Sequence, residues 1–131
     1  MSTIFSKIIA GEIPCHRVAE NENYLAFLDI SPVVEGHTLV IPKREVSYLF
    51  DLDDQLYAGL WLFAKGLVPS IAKAIPCLRV GVSVIGLEVP HTHIHLVPLN
   101  RMEDINFSKP KLTLSSTQLA ETANRIRQYL L

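Results

Sequence analysis

The stretch Pro90-His91-Thr92-His93-Ile94-His95-Leu96-Val97-Pro98 narrows the possible folds more than any other part of the chain. Three of the five histidines fall here at alternate positions, and Thr92, Ile94 and Leu96 beside them are β-branched or aliphatic, which suits an extended backbone. Side chains at i, i+2 and i+4 of a strand leave from one face. At about 3.3 Å rise per residue the imidazoles would stand in a row roughly 6 to 7 Å apart, with Ile94 and Leu96 turned into a core. On a helix the same residues would spread around the cylinder. A strand is therefore expected, and it gathers three titratable rings on one surface.

The rest of the chain alternates between strand and helix signals. Residues 3–10 predict a short helix with Ile4/Ile8 and Phe5/Ile9 at i, i+4 spacing, ended by Gly11. Strands are expected over His16 to Glu20 and Tyr24 to Ile30, joined by the turn Asn21-Glu22-Asn23, and over His37 to Lys43 with His37, Leu39 and Ile41 on one face. From Asp51 to Ile75 the spacing of Leu52, Leu56, Leu60, Phe63 and Leu67 predicts a long helix capped by Asp51 or Asp53. Pro69 inside it should kink or break the helix near Val68. Leu78 to Ile85 is expected to be a fourth, central strand, and Gly86 begins the turn into the histidines. Residues 99 to 113 are polar and irregular. Ser115 with Gln118 forms a capping-box pattern ahead of a stripe of Leu119, Ala123, Ile126 and Leu130. One α+β domain with an antiparallel sheet follows.

Length and charge limit the function. A chain of 131 residues with 49% hydrophobic residues supports one core. A formal net charge of -1 without long runs of one sign argues against binding long nucleic acid. No basic leader followed by an apolar run opens the chain and no run approaches the ~20 apolar residues of a bilayer span, so a cytoplasmic protein without membrane partners is expected. Cys15 and Cys77 lack a CxxC partner and are expected to be buried free thiols.

The histidine row admits three readings. It could be solvated; it could ligate a metal, although three ligands from one short strand fit a tetrahedron poorly; or one imidazole could be a nucleophile while the others set its tautomer and hold an anion. Histidine titrates near ~6.5, so such a cluster could hold a free base beside a protonated partner. That combination suits attack on phosphorus, which needs a nucleophile and hydrogen-bond donors on the non-bridging oxygens. His93, the middle member, would have an imidazole on each side.

These residues also resemble a family. His91-Thr92-His93-Ile94-His95-Leu96-Val97 is similar to the His-φ-His-φ-His-φ-φ signature of the histidine triad (HIT) superfamily, with threonine at the first φ. Ile4 to Pro14, Phe27 to Pro32 and Gly36 to Lys43 resemble the opening of its Hint-like branch. The resemblance implies a single HIT domain over residues 1–131, with a five-stranded antiparallel sheet, a long helix and a C-terminal helix. It further implies hydrolysis of a phosphoramidate or related bond to a purine nucleoside monophosphate, with no cofactor and no metal.

Carried over residue by residue, His93 would be the nucleophile that forms a nucleotidyl-histidine, His95 would contact the phosphate, and His91 would orient its neighbours through its carbonyl and through His37. Asp29 would bind the ribose hydroxyls, with Phe27 and Ile30 flanking the base. Ser83 stands where the family carries Asn, and Gly86-Leu87-Glu88 where it carries Gly-Gln-Ser/Thr. Glu88 beside a phosphate would repel it unless it points away or pairs with a basic group, and an amine-bearing leaving group would welcome such a carboxylate. The resemblance also implies a homodimer whose sheets join, with Leu60, Trp61 and Phe63 as candidates for interface or core. Other readings are a dinucleoside-polyphosphate hydrolase or nucleotidyl transferase, and a nucleotide-binding module with vestigial activity. His16 is expected to be a surface residue.

Overall fold

The computed structural model describes residues 3–130; Met1, Ser2 and Leu131 lie outside the described residues. The elements are α1 (Ile4–Ile9), β1 (Arg17–Glu20), β2 (Tyr24–Leu28), β3 (Thr38–Pro42), α2 (Asp54–Ala74), β4 (Arg79–Ser83), β5 (Ile94–Leu99) and α3 (Ser116–Gln128). Five strands form one antiparallel sheet in the order β1-β2-β3-β5-β4. The α+β architecture is the one expected, with two corrections to β4 and α2.

β4 lies at the edge of the sheet and not at its centre. Val80 and Val82 suggest burial, but β4 pairs with β5 alone, and although Val80 packs against the core, Val82 and Leu78 are exposed. Helix α2 runs unbroken through Pro69. Proline removes the N–H that would bond the Lys65 carbonyl; both residues are exposed, so water can take that carbonyl.

Caps fix the helix ends where the sequence placed them. The Asp53 carboxylate accepts from the Leu56 N–H at 2.9 Å. Ser115 and Gln118 exchange backbone-to-side-chain bonds of 3.1 and 2.8 Å. The Asn21 side-chain Oδ1 accepts from the N–H groups of Asn23 and Tyr24, both at 2.9 Å, and closes the β1–β2 turn.

Strand alternation sorts the core into two sides. Tyr24, Ala26, Leu28, Val40, Ile94 and Leu96 pack with α2 and α3. Leu25, Phe27, Leu39 and Ile41 face the other way and pack with Phe5 of α1. Leu60 is fully buried in the first cluster and Phe63 stacks on Tyr24 with centroids 5.5 Å apart, so core packing accounts for both. Trp61 packs partly against the same cluster. The cysteines are free but only half-buried, against expectation. No helix among the described residues is long and apolar enough to cross a membrane.

Candidate functional site

The site grows from the α1 side of the sheet. Leu39 of β3 pairs with His95 of β5, and Ser83 of β4 pairs with His95 from the other side, so Phe27, Leu39, His95 and Ser83 form one row across four strands. His95 is the single member of the triad inside a strand, because β5 begins at Ile94. His91 and His93 precede it in a bent segment anchored by Thr92, whose N–H and hydroxyl both donate to the Val46 carbonyl at 2.7 Å. The expected even row is therefore broken.

Gly36 brings His37 to the same place. Its φ is +91°, and a Cβ there would stand 2.8 Å from Cγ1 of Ile75, so a larger residue would be strained and crowded. His37 follows directly and enters the site just ahead of β3, with its ring centroid 5.1 Å from that of His95. His95 lies 4.9 Å from His93 on its other side. The histidine flanked by two imidazoles is thus His95, not His93. His93 has Phe5 as its other neighbour at 5.1 Å, and the same Phe5 ring lies 5.9 Å from His91.

Backbone partners decide where each ring proton sits. The Val33 N–H donates to Nδ1 of His37 at 3.1 Å, so that nitrogen is bare and the proton of neutral His37 is on Nε2. That Nε2–H donates to Nδ1 of His95 at 2.9 Å, which places the His95 proton on Nε2. His91 donates from Nε2 to the Pro42 carbonyl at 2.8 Å. Its own carbonyl, 2.7 Å from Nδ1 of His93, accepts the His93 proton. Nε2 of neutral His93 is left with a free lone pair, and Nε2 of His95, whose ring centroid lies 4.9 Å from that of His93, carries an N–H. The His91 carbonyl therefore contacts His93, whereas His37 bonds His95.

Burial keeps the relay neutral. It pushes His37 down to about 3, with His95, Lys111 and His93 adding smaller effects in the same direction. It pushes His95 down to about 4, helped by the neighbouring His93. It also lowers His91, partly offset by the bond to Pro42. The protonated partner foreseen from the cluster is therefore absent from His37 and His95 at neutral pH, because desolvation outweighs any gain from a charge there. Positive polarity comes from N–H groups of neutral rings.

Asp29 leaves the end of β2 at the rim. Its N–H donates to the His37 carbonyl at 3.0 Å, Oδ1 accepts from the Ser31 N–H at 2.9 Å, and Oδ2 lies 3.8 Å from Nε2 of His37. Burial raises its carboxyl above the usual range, with the Ser31 N–H, His93 and Lys111 opposing and exposed Glu88 reinforcing the rise. Ile30 beside it is largely exposed, while Phe27 is buried beneath Phe5, at 5.5 Å. Phe27 thus supports the site from below.

Donor atoms of Asp29, His37 and His95 fall within 4.8 Å of one another. A cation on Nε2 of His37 would move that ring's proton to Nδ1, against the Val33 N–H. These donors are better matched to one another than to a metal.

Residues outside the expected site also matter. Phe107, in the segment that looks irregular in sequence, packs edge-on against His95 at 4.6 Å and His37 at 5.8 Å. No periodicity marks it; the one signal was its being the sole aromatic residue between 99 and 113. On the opposite flank, a cavity of about 280 Å³ runs from His93 and Thr92 between Tyr48, Phe50, Ile85 and Leu87.

An antiparallel α+β sheet that buries four histidines around one unpartnered imidazole lone pair defines a class of domain organised about that cluster. A family model described as the HIT domain matches residues 10–102. The chain is 33% identical to an uncharacterized HIT-like protein of Borreliella burgdorferi, with 94% of each chain covered. It is 37% identical to the Schizosaccharomyces pombe protein named adenosine 5'-monophosphoramidase hnt1, over 75% of this chain and 74% of that one. A solved Hit-like protein from Bartonella henselae superposes with a TM-score of 0.85 at 32% identity, covering 97% of this chain and 95% of that one. The chain belongs to the HIT domain family.

Proposed function

We propose that the protein hydrolyses a phosphoramidate or related P–X bond to a purine nucleoside monophosphate. The observation that carries this reading is the tautomer of His93: the His91 carbonyl holds its Nδ1–H at 2.7 Å and leaves Nε2 bare as a nucleophile. Nε2 attacks phosphorus in line, the P–X bond breaks, and the amine leaves with a proton from solvent. The Nε2–H of His95 donates to a non-bridging oxygen as its charge grows. Water then cleaves the nucleotidyl-histidine, releasing the monophosphate and restoring His93. Asp29 is the acceptor for the ribose hydroxyls, Ile30 lies against the base, and Phe27 backs Phe5 from beneath. Ser83, paired with His95, is the donor on the leaving-group side. Relatives named adenosine 5'-monophosphoramidase support the substrate class.

The edge position of β4 supports a homodimer. Its outer edge is unpaired among the described residues, and Leu78 and Val82 are exposed beside it. Antiparallel pairing of two β4 strands would join the sheets, and light scattering should return twice the mass of the chain.

Adenosine 5'-phosphoramidate with chelator present tests the reaction. Wild-type turnover that falls about 10³-fold or more in His93→Ala, with a covalent nucleotide trapped on His93, is the expected result. Binding of adenosine monophosphate without turnover by the wild type would leave a nucleotide-binding module instead. Turnover of dinucleoside polyphosphates in preference would replace the leaving group but keep the nucleophile.

A further inference from the structure

The segment between β5 and α3 is polar, yet it is tightly built. The Asp104 carboxylate accepts from the N–H groups of Asn100 and Arg101 at 2.8 and 2.9 Å. The Asn106 side chain accepts from the N–H and hydroxyl of Ser108 at 3.0 and 2.6 Å. The Lys111 ammonium donates to the carbonyls of Phe107 and Lys109, and the Leu112 N–H donates to the Pro32 carbonyl at 2.9 Å. That last bond ties the segment to the loop that follows Asp29.

These bonds deliver one apolar group to the site. The Phe107 ring stands edge-on to His95 and His37 at centroid distances of 4.6 and 5.8 Å. His95 faces His37, His93 and the Asp29 carboxylate, and Ser83 is its register partner on β4. Lys111 is the lysine whose charge acts on His37. Apart from Leu39, the register partner of His95 within the sheet, Phe107 is the member of this surround that can neither donate nor accept a conventional hydrogen bond, and it is the one brought from outside the sheet.

We propose that Phe107 is a positioning residue, closing the His37–His95 pair to water so that the His37 Nε2–H stays on Nδ1 of His95 and the His95 N–H stays on Nε2. The inference rests on the reading of His95 as the donor to the phosphate. Water admitted beside the pair would offer Nδ1 of His95 a second donor and His37 a second acceptor, loosening the chain of bonds that fixes the tautomer. It would also restore solvation to the charged forms, whose loss on burial holds both rings neutral.

The test uses the full chain with 15N-labelled histidine. Ring 15N spectra report tautomer and titration for each histidine, independently of turnover. In Phe107→Ala the His95 titration should climb from about 4 toward the ordinary histidine range and its single tautomer should become a mixture. kcat should fall about 10-fold with KM within about 2-fold, and the acid limb of the kcat profile should move upward with the His95 titration. Phe107→Leu keeps an apolar cover and should restore most of both effects. Lys111→Met frees the turn that carries Phe107 and should shift His95 in the same direction by less. An unmoved His95 titration and tautomer in both Phe107→Ala and Lys111→Met would overturn the proposal. Wild-type protein inactive on every nucleotide, with the spectral shift still present, would overturn the hydrolase reading and leave the sealing role standing.

Discussion

The two flanks of His93 are built on opposite principles. On the His37 and His95 side, each ring proton is placed by a backbone group or by the next ring, and Phe107 covers the pair. On the other side, Tyr48, Phe50 and Leu87 stand 58, 66 and 89% exposed around a cavity and hold nothing in register. A tautomer is a two-state property, so the first flank tolerates little change. An apolar wall acts through contact area, which varies gradually with the side chain. For the proposed hydrolysis, the first flank would serve chemistry common to all substrates, and the second would serve discrimination among leaving groups.

The largest effect that could break this contrast comes from the ordered flank. His37→Ala removes the N–H that fixes His95, and kcat should fall at least about 10-fold for every leaving group alike, as steady-state kinetics on two phosphoramidates would show. A loss confined to one leaving group would mean that the flanks share the work of specificity.

A second effect is on stability. The unfolded chain protonates its histidines near ~6.5, whereas folded His95 and His37 wait until about 4 and about 3. Between those values the unfolded state binds more protons, so stability falls as pH drops from about 6.5 toward 4. The upward shift of Asp29 works in the opposite sense at the acid end, because its native carboxyl protonates first. The thermal midpoint at pH 4.5 should lie several degrees below that at pH 7, and His37→Ala should flatten the slope. An equal slope in that variant would place the acid sensitivity elsewhere.

The smallest effect belongs to the exposed flank. Leu87→Ser should change stability by less than about 0.5 kcal/mol. It should alter KM for a bulky apolar leaving group by a few-fold while leaving the unsubstituted phosphoramidate unaffected. Glu88→Gln sharpens the same point: an amine-bearing leaving group should lose its advantage over a neutral one. Equal effects of either substitution on kcat for all substrates would show that this flank, too, shapes the chemistry.

The sequence by itself determined the α+β class, the helix caps at Asp53 and Ser115 and the Asn21 turn, because each depends on residue type at short range. It misplaced β4, since a β-branched run carries no record of which neighbours cover it. It also drew an even row of imidazoles where β5 starts only at Ile94. What tertiary structure alone decided was where the protons lie. His37 and His95 are 58 positions apart, and His91 meets a carbonyl 49 positions away. Local pattern sets which rings are available, but a ring's tautomer follows the donor or acceptor that packing brings to its far nitrogen. For His93 that acceptor is the carbonyl of His91, two residues away, in a segment held by the bonds of Thr92 to Val46 and of His91 to Pro42.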